Sequence, residues 1–169
     1  MPDALNALAA EAAVAYPGGT AYTYAAQDAL SARVLIVEEG GSAFPQGINI
    51  GKSQSDPPGK WGGILSEAGY EPGMYSWWNA IPCGLDRPST AEDRGRGGSF
   101  LRRAIGLHLD LHAVIAVGMV AQGIVKSTRT EPCVFSTRSP LRSSNAERRR
   151  VIDTFIKARL RGYPAGFER

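Results

Sequence analysis

The sequence predicts an α/β fold in three layers, α/β/α, built on a four-stranded parallel sheet. Two observations carry this expectation. Four short runs of apolar, β-branched or aromatic residues lack polar alternation, which is the pattern of strands covered on both faces. The stretches between them carry helical spacing, so strand and helix alternate, as right-handed crossovers between parallel strands require. At 169 residues the chain suits one domain, 1–169, in which residues 1–32 form an N-terminal helical segment.

The elements follow in order. The Ala-rich start, Ala4 to Ala15, contains Glu11, follows Asp3 and lacks a basic leader, so it is not read as a signal peptide. The first strand is 34–37 (VLIV). A helix over 60–69 (KWGGILSEAG) is weakened by its glycines. The second strand is 74–78 (MYSWW), and the polar, Gly-rich stretch 86–98 (DRPSTAEDRGRGG) reads as a mobile loop. The spacing of Phe100, Ala104 and Leu107 predicts a helix over 99–108. The third strand, 113–117 (AVIAV), passes through Gly118 into a helix over 119–126, and the fourth is 133–136 (CVFS). A last helix over 145–161 carries Val151, Ile152, Phe155, Ile156 and Leu160 on one face, with its cations largely elsewhere. Asn145 is its expected N-cap, and Arg148 three residues on cannot complete a capping box.

Composition narrows the class. With 43% hydrophobic and 21% charged residues the chain is not disordered, and no apolar run approaches the 18 residues of a membrane span. Two cysteines, Cys83 and Cys133, make neither a disulfide framework nor a metal site, so a reducing cytoplasm is the expected compartment. His108 and His112 have i, i+4 spacing but no third ligand, so no metal is expected. Phosphate-loop and nucleophile-elbow patterns are absent. The net charge of +3 is uneven: from Arg138 onward nine basic residues face three acidic ones, while residues 1–137 are net negative. A basic end on a mildly acidic body suits contact with phosphates, or a solvated helix face.

Ligands of doubly wound sheets bind outside the carboxyl ends of the strands, so chemistry is sought there. Glu38 and Glu39 follow the first strand, where a carboxylate can activate water or simply stay solvated. Gly40 and Gly41 then let the backbone turn sharply. Asn79 follows the second strand and can read a base edge with its donor and acceptor, or close an Asx-type turn. After the fourth strand come Thr137, Arg138, Ser139, Pro140, Leu141, Arg142, Ser143 and Ser144. Hydroxyls, amides and cations before a helix suit phosphate oxygens. Leu141 can wedge into a base stack or fold back into the core.

Taken together and in order, residues 33–160 resemble the uracil-DNA glycosylase superfamily. The strand leading into Glu38-Glu39-Gly40-Gly41 resembles the family's first motif, G-E-x-P-G and its variants. Gln46-Gly47 and Gly51 resemble the pocket segment that follows it. WGGILSEAGY (61–70) resembles the helix ending in A-G-aromatic, and Trp78-Asn79-Ala80-Ile81-Pro82 the strand ending in the base-reading Asn. Ala113 to Ala121 is similar to the family's strand–Gly–helix segment, and Thr137-Arg138-Ser139-Pro140-Leu141 to its H-P-S-P-L motif. The resemblance implies a flipped nucleotide and hydrolysis of the base–deoxyribose bond. It implies that Glu39, with Glu38 beside it, holds or activates water and that Asn79 reads the base. Trp78, Ile48 and Asn49 would complete the base pocket. Ser139 and its neighbours Thr137, Arg138, Pro140 and Arg142 would grip the phosphate, and Leu141 would enter the duplex.

The departures are specific. The first motif lacks its leading Gly and its Pro, although Gly47-Ile48-Asn49-Ile50-Gly51 offers a second register resembling G-I-N-P-G. Ile48-Asn49-Ile50 stands where the family stacks a Phe on uracil, and Thr137 stands where the second motif has His. The four-cysteine iron–sulfur cluster of some relatives is excluded by the two cysteines. The expected activity is therefore a monofunctional DNA glycosylase acting on a modified pyrimidine, such as a hypermodified base of foreign DNA. The alternatives are a uracil-DNA glycosylase of base-excision repair and a non-catalytic nucleic-acid-binding protein on the same scaffold. DNA is the expected partner, with no cofactor, no membrane and a monomeric state.

Overall fold

A computed structural model describes residues 4–24, 29–40, 60–139 and 144–166. In chain order the elements are α1 (Ala4–Ala15), β1 (Thr20–Ala21), a 3-10 turn (Ala29–Ser31), β2 (Val34–Gly40), α2 (Lys60–Glu67), β3 (Tyr75–Ile81) and β4 (Cys83–Gly84). They continue with α3 (Ala91–Leu107), β5 (Ala113–Val117), α4 (Met119–Thr128), β6 (Cys133–Thr137) and α5 (Asn145–Gly162). The predicted architecture is present: β3, β2, β5 and β6 form a four-stranded, wholly parallel sheet in that order, between two layers of helix. The reversal of order falls between β2 and β5, which is where a doubly wound sheet opens its ligand crevice.

Alternation along β3 sorts the layers, because neighbouring residues of a strand face opposite ways. Tyr75 and Trp77 face α2 and α5. There Trp61 meets Trp77 edge-on at 5.2 Å, and Phe155 lies 5.5 Å from Trp61. Tyr70 packs edge-on against Tyr75 and donates from its hydroxyl to the Phe155 carbonyl at 2.9 Å. Ser76 and Trp78 face the other way. The Ser76 hydroxyl donates to His108 Nε2 at 2.5 Å, and His108 Nδ1–H donates to the Ala104 carbonyl at 2.8 Å, which fixes the tautomer. Burial holds the His108 pKa below its ordinary value. The pair ties the end of α3 to the sheet, while His112 sits apart with Asp110 at 2.9 Å.

The N-terminal segment belongs to the same core. Leu5, Leu8, Ala9 and Ala12 of α1 are buried with the sheet residues, and Tyr16 donates from its hydroxyl to the Asp93 carbonyl at 3.0 Å. Short strands β1 and β4 pair antiparallel beside it. Among the described residues no helix is long and apolar enough to cross a membrane.

Four expectations need correction. The stretch 86–98 is not a loop throughout, because α3 starts at Ala91. Its N-cap Thr90 accepts from Asp93 N–H while the Asp93 carboxylate accepts from Thr90 N–H, a complete capping box braced by Arg87. The cap of α5 is Ser144 rather than Asn145, and the residue three on from Ser144 is Glu147, so a capping box does form. On α5, Leu160 is exposed and Ala158 is buried instead. Finally, β6 is not covered on both faces: Cys133, Val134 and Ser136 are exposed, because β6 is an edge strand whose outer face α4 leaves open.

Helix α3 approaches β3 closely at Gly97, where a Cβ would collide with the Ala80 carbonyl oxygen. At Gly95, two residues earlier on the same helix, a Cβ would meet nothing within 4 Å. Urea denaturation should therefore separate two identical substitutions. Gly95→Ala should stabilise by about 0.5–1 kcal/mol through helix propensity, and Gly97→Ala should destabilise by about 1–3 kcal/mol through overpacking. Equal effects at the two positions would contradict this packing.

Candidate active site

The carboxyl edge of the sheet sets its residues in a row. Register pairs Glu38 of β2 with Asn79 of β3. Val37 pairs with Ala116, and Ala116 with Ser136, so Val117 and Thr137 stand at the same level on β5 and β6. The row Asn79–Glu38–Val117–Thr137 spans about 14 Å, three inter-strand spacings. It gathers in one line residues separated by up to 99 positions in sequence.

Glu38 continues the alternation of Val34 and Ile36, which turns its side chain toward the α2 layer. Its carboxyl is half-buried beside Trp61, and burial raises its pKa to about 7, while the hydrogen bond from the Trp61 indole pulls the other way. Glu39 faces the opposite side and is exposed. Gly40 ends the strand with φ of +70°, a conformation L side chains rarely adopt. A Cβ there would collide with the Ile81 carbonyl oxygen and lie 2.7 Å from Asn79 Cβ. Gly40 is thus required twice, and it lets the chain leave β2 directly over Asn79.

Asn79 is not in a turn. It lies inside β3 and is buried, with its backbone N–H donating to the Tyr24 phenol oxygen at 3.1 Å. The Tyr24 hydroxyl in turn donates to Asn79 Oδ1 at 2.9 Å. Burial pushes the Tyr24 pKa well above the ordinary phenol value, so this donor keeps its proton. Half of the hydrogen-bonding capacity expected for a ligand is therefore already engaged, and Nδ2 is the end turned away from Tyr24.

The other predicted residues divide into three groups. Trp78 is fully buried on the opposite face from Asn79, stacked on Tyr24 with ring centroids 4.9 Å apart. At the end of β6, Thr137 is buried, and its carbonyl accepts from Gly118 N–H and Gln122 Nε2–H at 2.9 Å each. Arg138 is exposed and reaches Glu147 at 3.3 Å, and Ser139 is half-buried. Ile48, Asn49, Pro140, Leu141 and Arg142 lie outside the described residues. The structure brings Glu38 and Asn79 together and sets Thr137 in line with them, whereas Trp78 and Glu39 face the other layer. Sequence reasoning missed Tyr24 and Trp61 as partners of these side chains. Period-two counting along VLIVEE would have separated Glu38 from Glu39, but nothing local marks Tyr24.

The Glu38 carboxyl makes stability depend on pH. Its folded pKa lies above the unfolded value, so the contribution is fully present below about pH 4.5 and is lost as pH rises through 7. A shift of this size corresponds to at most about 3 kcal/mol. Glu38→Gln should therefore be more stable than the parent at pH 8 and equal to it at pH 4, measured by urea denaturation. A constant difference across that range would mean that Glu38 titrates normally.

No protein-family model matches this chain, and no curated protein matches it.

Proposed function

We propose that the protein is a monofunctional DNA glycosylase that hydrolyses the N-glycosidic bond of a modified pyrimidine. The observation that carries this reading is the adjacent pair Glu38 and Asn79 at the carboxyl edge of the sheet, beside the switch point. A carboxyl with a pKa of about 7 is poised to exchange a proton near neutrality. A neighbouring amide with an N–H end to offer suits a carbonyl oxygen on a departing base.

In this reading ionised Glu38 takes a proton from water as the water oxygen bonds to C1′ of the deoxyribose. The C1′–N bond breaks, the base leaves with the electron pair, and Asn79 Nδ2–H stabilises the charge that develops on the base oxygen. Protonated Glu38 then gives up its proton, through solvent, to the base anion, leaving an abasic site, a free base and the ionised carboxylate. Glu38 takes the water-activating role in preference to Glu39, because only Glu38 is level with Asn79 and drawn out of water. Thr137, Arg138 and Ser139, with Pro140, Leu141 and Arg142 beyond them, supply the phosphate grip and the wedge that the resemblance to uracil-DNA glycosylases implies. The same resemblance, with Ile48-Asn49-Ile50 in place of the stacking Phe, directs the substrate toward a bulkier or modified pyrimidine.

The experiment is mass spectrometry of bases released by the purified protein from phage and bacterial DNAs and from a single-uracil oligonucleotide. One released base is expected, with Glu38→Gln and Asn79→Ala each slowing release by about 10²–10⁴-fold and Glu39→Gln having little effect. Release of uracil alone would identify a repair enzyme. Salt-dependent DNA binding with no abasic product would identify a binding protein instead.

A further inference from the structure

The N-terminal segment reaches the site through one residue. From α1, Asn6 pairs with both backbone polar groups of Tyr24: Nδ2–H donates to the Tyr24 carbonyl at 2.9 Å, and Oδ1 accepts Tyr24 N–H at 2.7 Å. The Tyr24 ring then lies on Trp78, nearly parallel at 19°. Its hydroxyl both accepts Asn79 N–H and donates to Asn79 Oδ1. Tyr24 and Asn79 are 4% and 5% exposed, so these bonds are shielded from water.

A carboxamide has two nearly isosteric ends, and only its hydrogen bonds decide which end faces which way. Tyr24 has one hydroxyl proton. Because its oxygen already accepts the Asn79 backbone N–H, that proton is free to be given to the side chain, and the recipient must be an acceptor. The amide is thereby set with Oδ1 at Tyr24 and the Nδ2 donors at the other end. An inverted amide would turn a donor toward a hydroxyl that already accepts one N–H, and would leave the hydroxyl proton with no acceptor among the described residues.

We infer that Tyr24 is a positioning residue that orients the Asn79 carboxamide as a hydrogen-bond donor toward the site, and that Asn6 holds Tyr24 in place from α1. The helical segment ahead of the first strand is then part of the site's architecture. The amide's orientation stands on the hydrogen bonds alone. Its consequence for a ligand, that a carbonyl oxygen is accepted and an amino group refused, rests on the proposed role of Asn79 in contacting the base.

Two measurements separate these. In ¹⁵N-labelled protein, Tyr24→Phe keeps the ring on Trp78 and removes only the hydroxyl. Exchange of the Asn79 backbone amide should quicken at least tenfold, and the Asn79 side-chain NH₂ pair should shift and broaden. Asn6→Ala should move the same signals in the same direction to a smaller extent, and it serves alone if Tyr24→Phe does not fold. Unchanged Asn79 signals in the folded variants would overturn the inference. In the second measurement, free uracil and free cytosine, a 4-oxo and a 4-amino pyrimidine, are titrated into each protein. The parent should favour uracil by at least tenfold, and Tyr24→Phe should reduce that ratio to under threefold. A ratio retained in Tyr24→Phe would overturn the specificity consequence. Altered Asn79 signals with neither base bound by the parent would leave Tyr24 as positioner and overturn the specificity consequence, while the base-release experiment above decides the proposed function separately.

Discussion

The parallel pairing of β2 with β3 is the constraint on which the rest of the site depends. Val34, Leu35, Ile36 and Val37 are completely buried, with β3 on one side and β5 on the other. Every one of these side chains has an assigned layer, so a slip of one residue would turn the whole apolar set inside out. That penalty belongs to the core, yet its consequence appears two residues beyond it. The same register that satisfies Ile36 against Trp77 also sets Glu38 level with Asn79. Gly40 allows the chain to leave at that point without displacing the amide. The site's geometry is inherited from hydrophobic packing.

The two edges of the sheet are managed in different ways. An edge strand offers unpaired N–H and C=O groups and is ordinarily shielded or blunted. Strand β3 is an edge, yet all seven of its residues are buried, because α3, the 3-10 turn and the segment ending in Tyr24 pack against it. Tyr24 takes one outward N–H in place of a neighbouring strand. Strand β6 at the far edge has no such cover among the described residues, and Val134 and Ser136 are exposed. The covered edge is the one that carries Asn79. Shielding matters more there, because a buried amide is held in a single orientation only while water cannot compete for its bonds.

Much of this was legible in the sequence, and the exceptions have physical reasons. The four strands were readable because β-branched and aromatic runs without alternation mean burial on both faces, and three of them satisfy that fully. β6 departs because a run's composition does not show whether a crossover helix will lie over it. The start of α3 was obscured by Gly95, Gly97 and Gly98, which read as loop. Gly97 is present because β3 passes so close, a tertiary demand that local propensity does not register. Both capping boxes were written in sequence, as Thr90 with Asp93 and Ser144 with Glu147, and the second lay one residue from the expected cap. That Glu38 and Asn79 gather at the carboxyl edge of the sheet was legible from topology, although both lie inside their strands, β2 running to Gly40 and β3 to Ile81, and not in the loops after them. Tyr24 was not, since its partner lies 55 residues away and the contact exists only after the sheet has formed.

The molecule treats its withdrawn carboxyls in two opposite ways, and the contrast bears on the proposed chemistry. Asp93 is buried, and Arg87 grips both of its oxygens at 2.6 and 3.1 Å while Thr90 donates from its backbone and hydroxyl. Those bonds hold its pKa far below the ordinary carboxylate range, so the charge is fully compensated and inert. Glu38 has among the described residues only the Trp61 indole as a donor, and burial dominates. A carboxyl present purely for structure would gain from a cation or a capping role, as Asp93, Glu147 and Glu67 all do. A Gln at position 38 could keep the indole bond without the cost of a buried charge. What Glu38 offers beyond Gln is a proton that leaves near neutral pH at the carboxyl end of the central strand. That property suits proton transfer, the role proposed for Glu38.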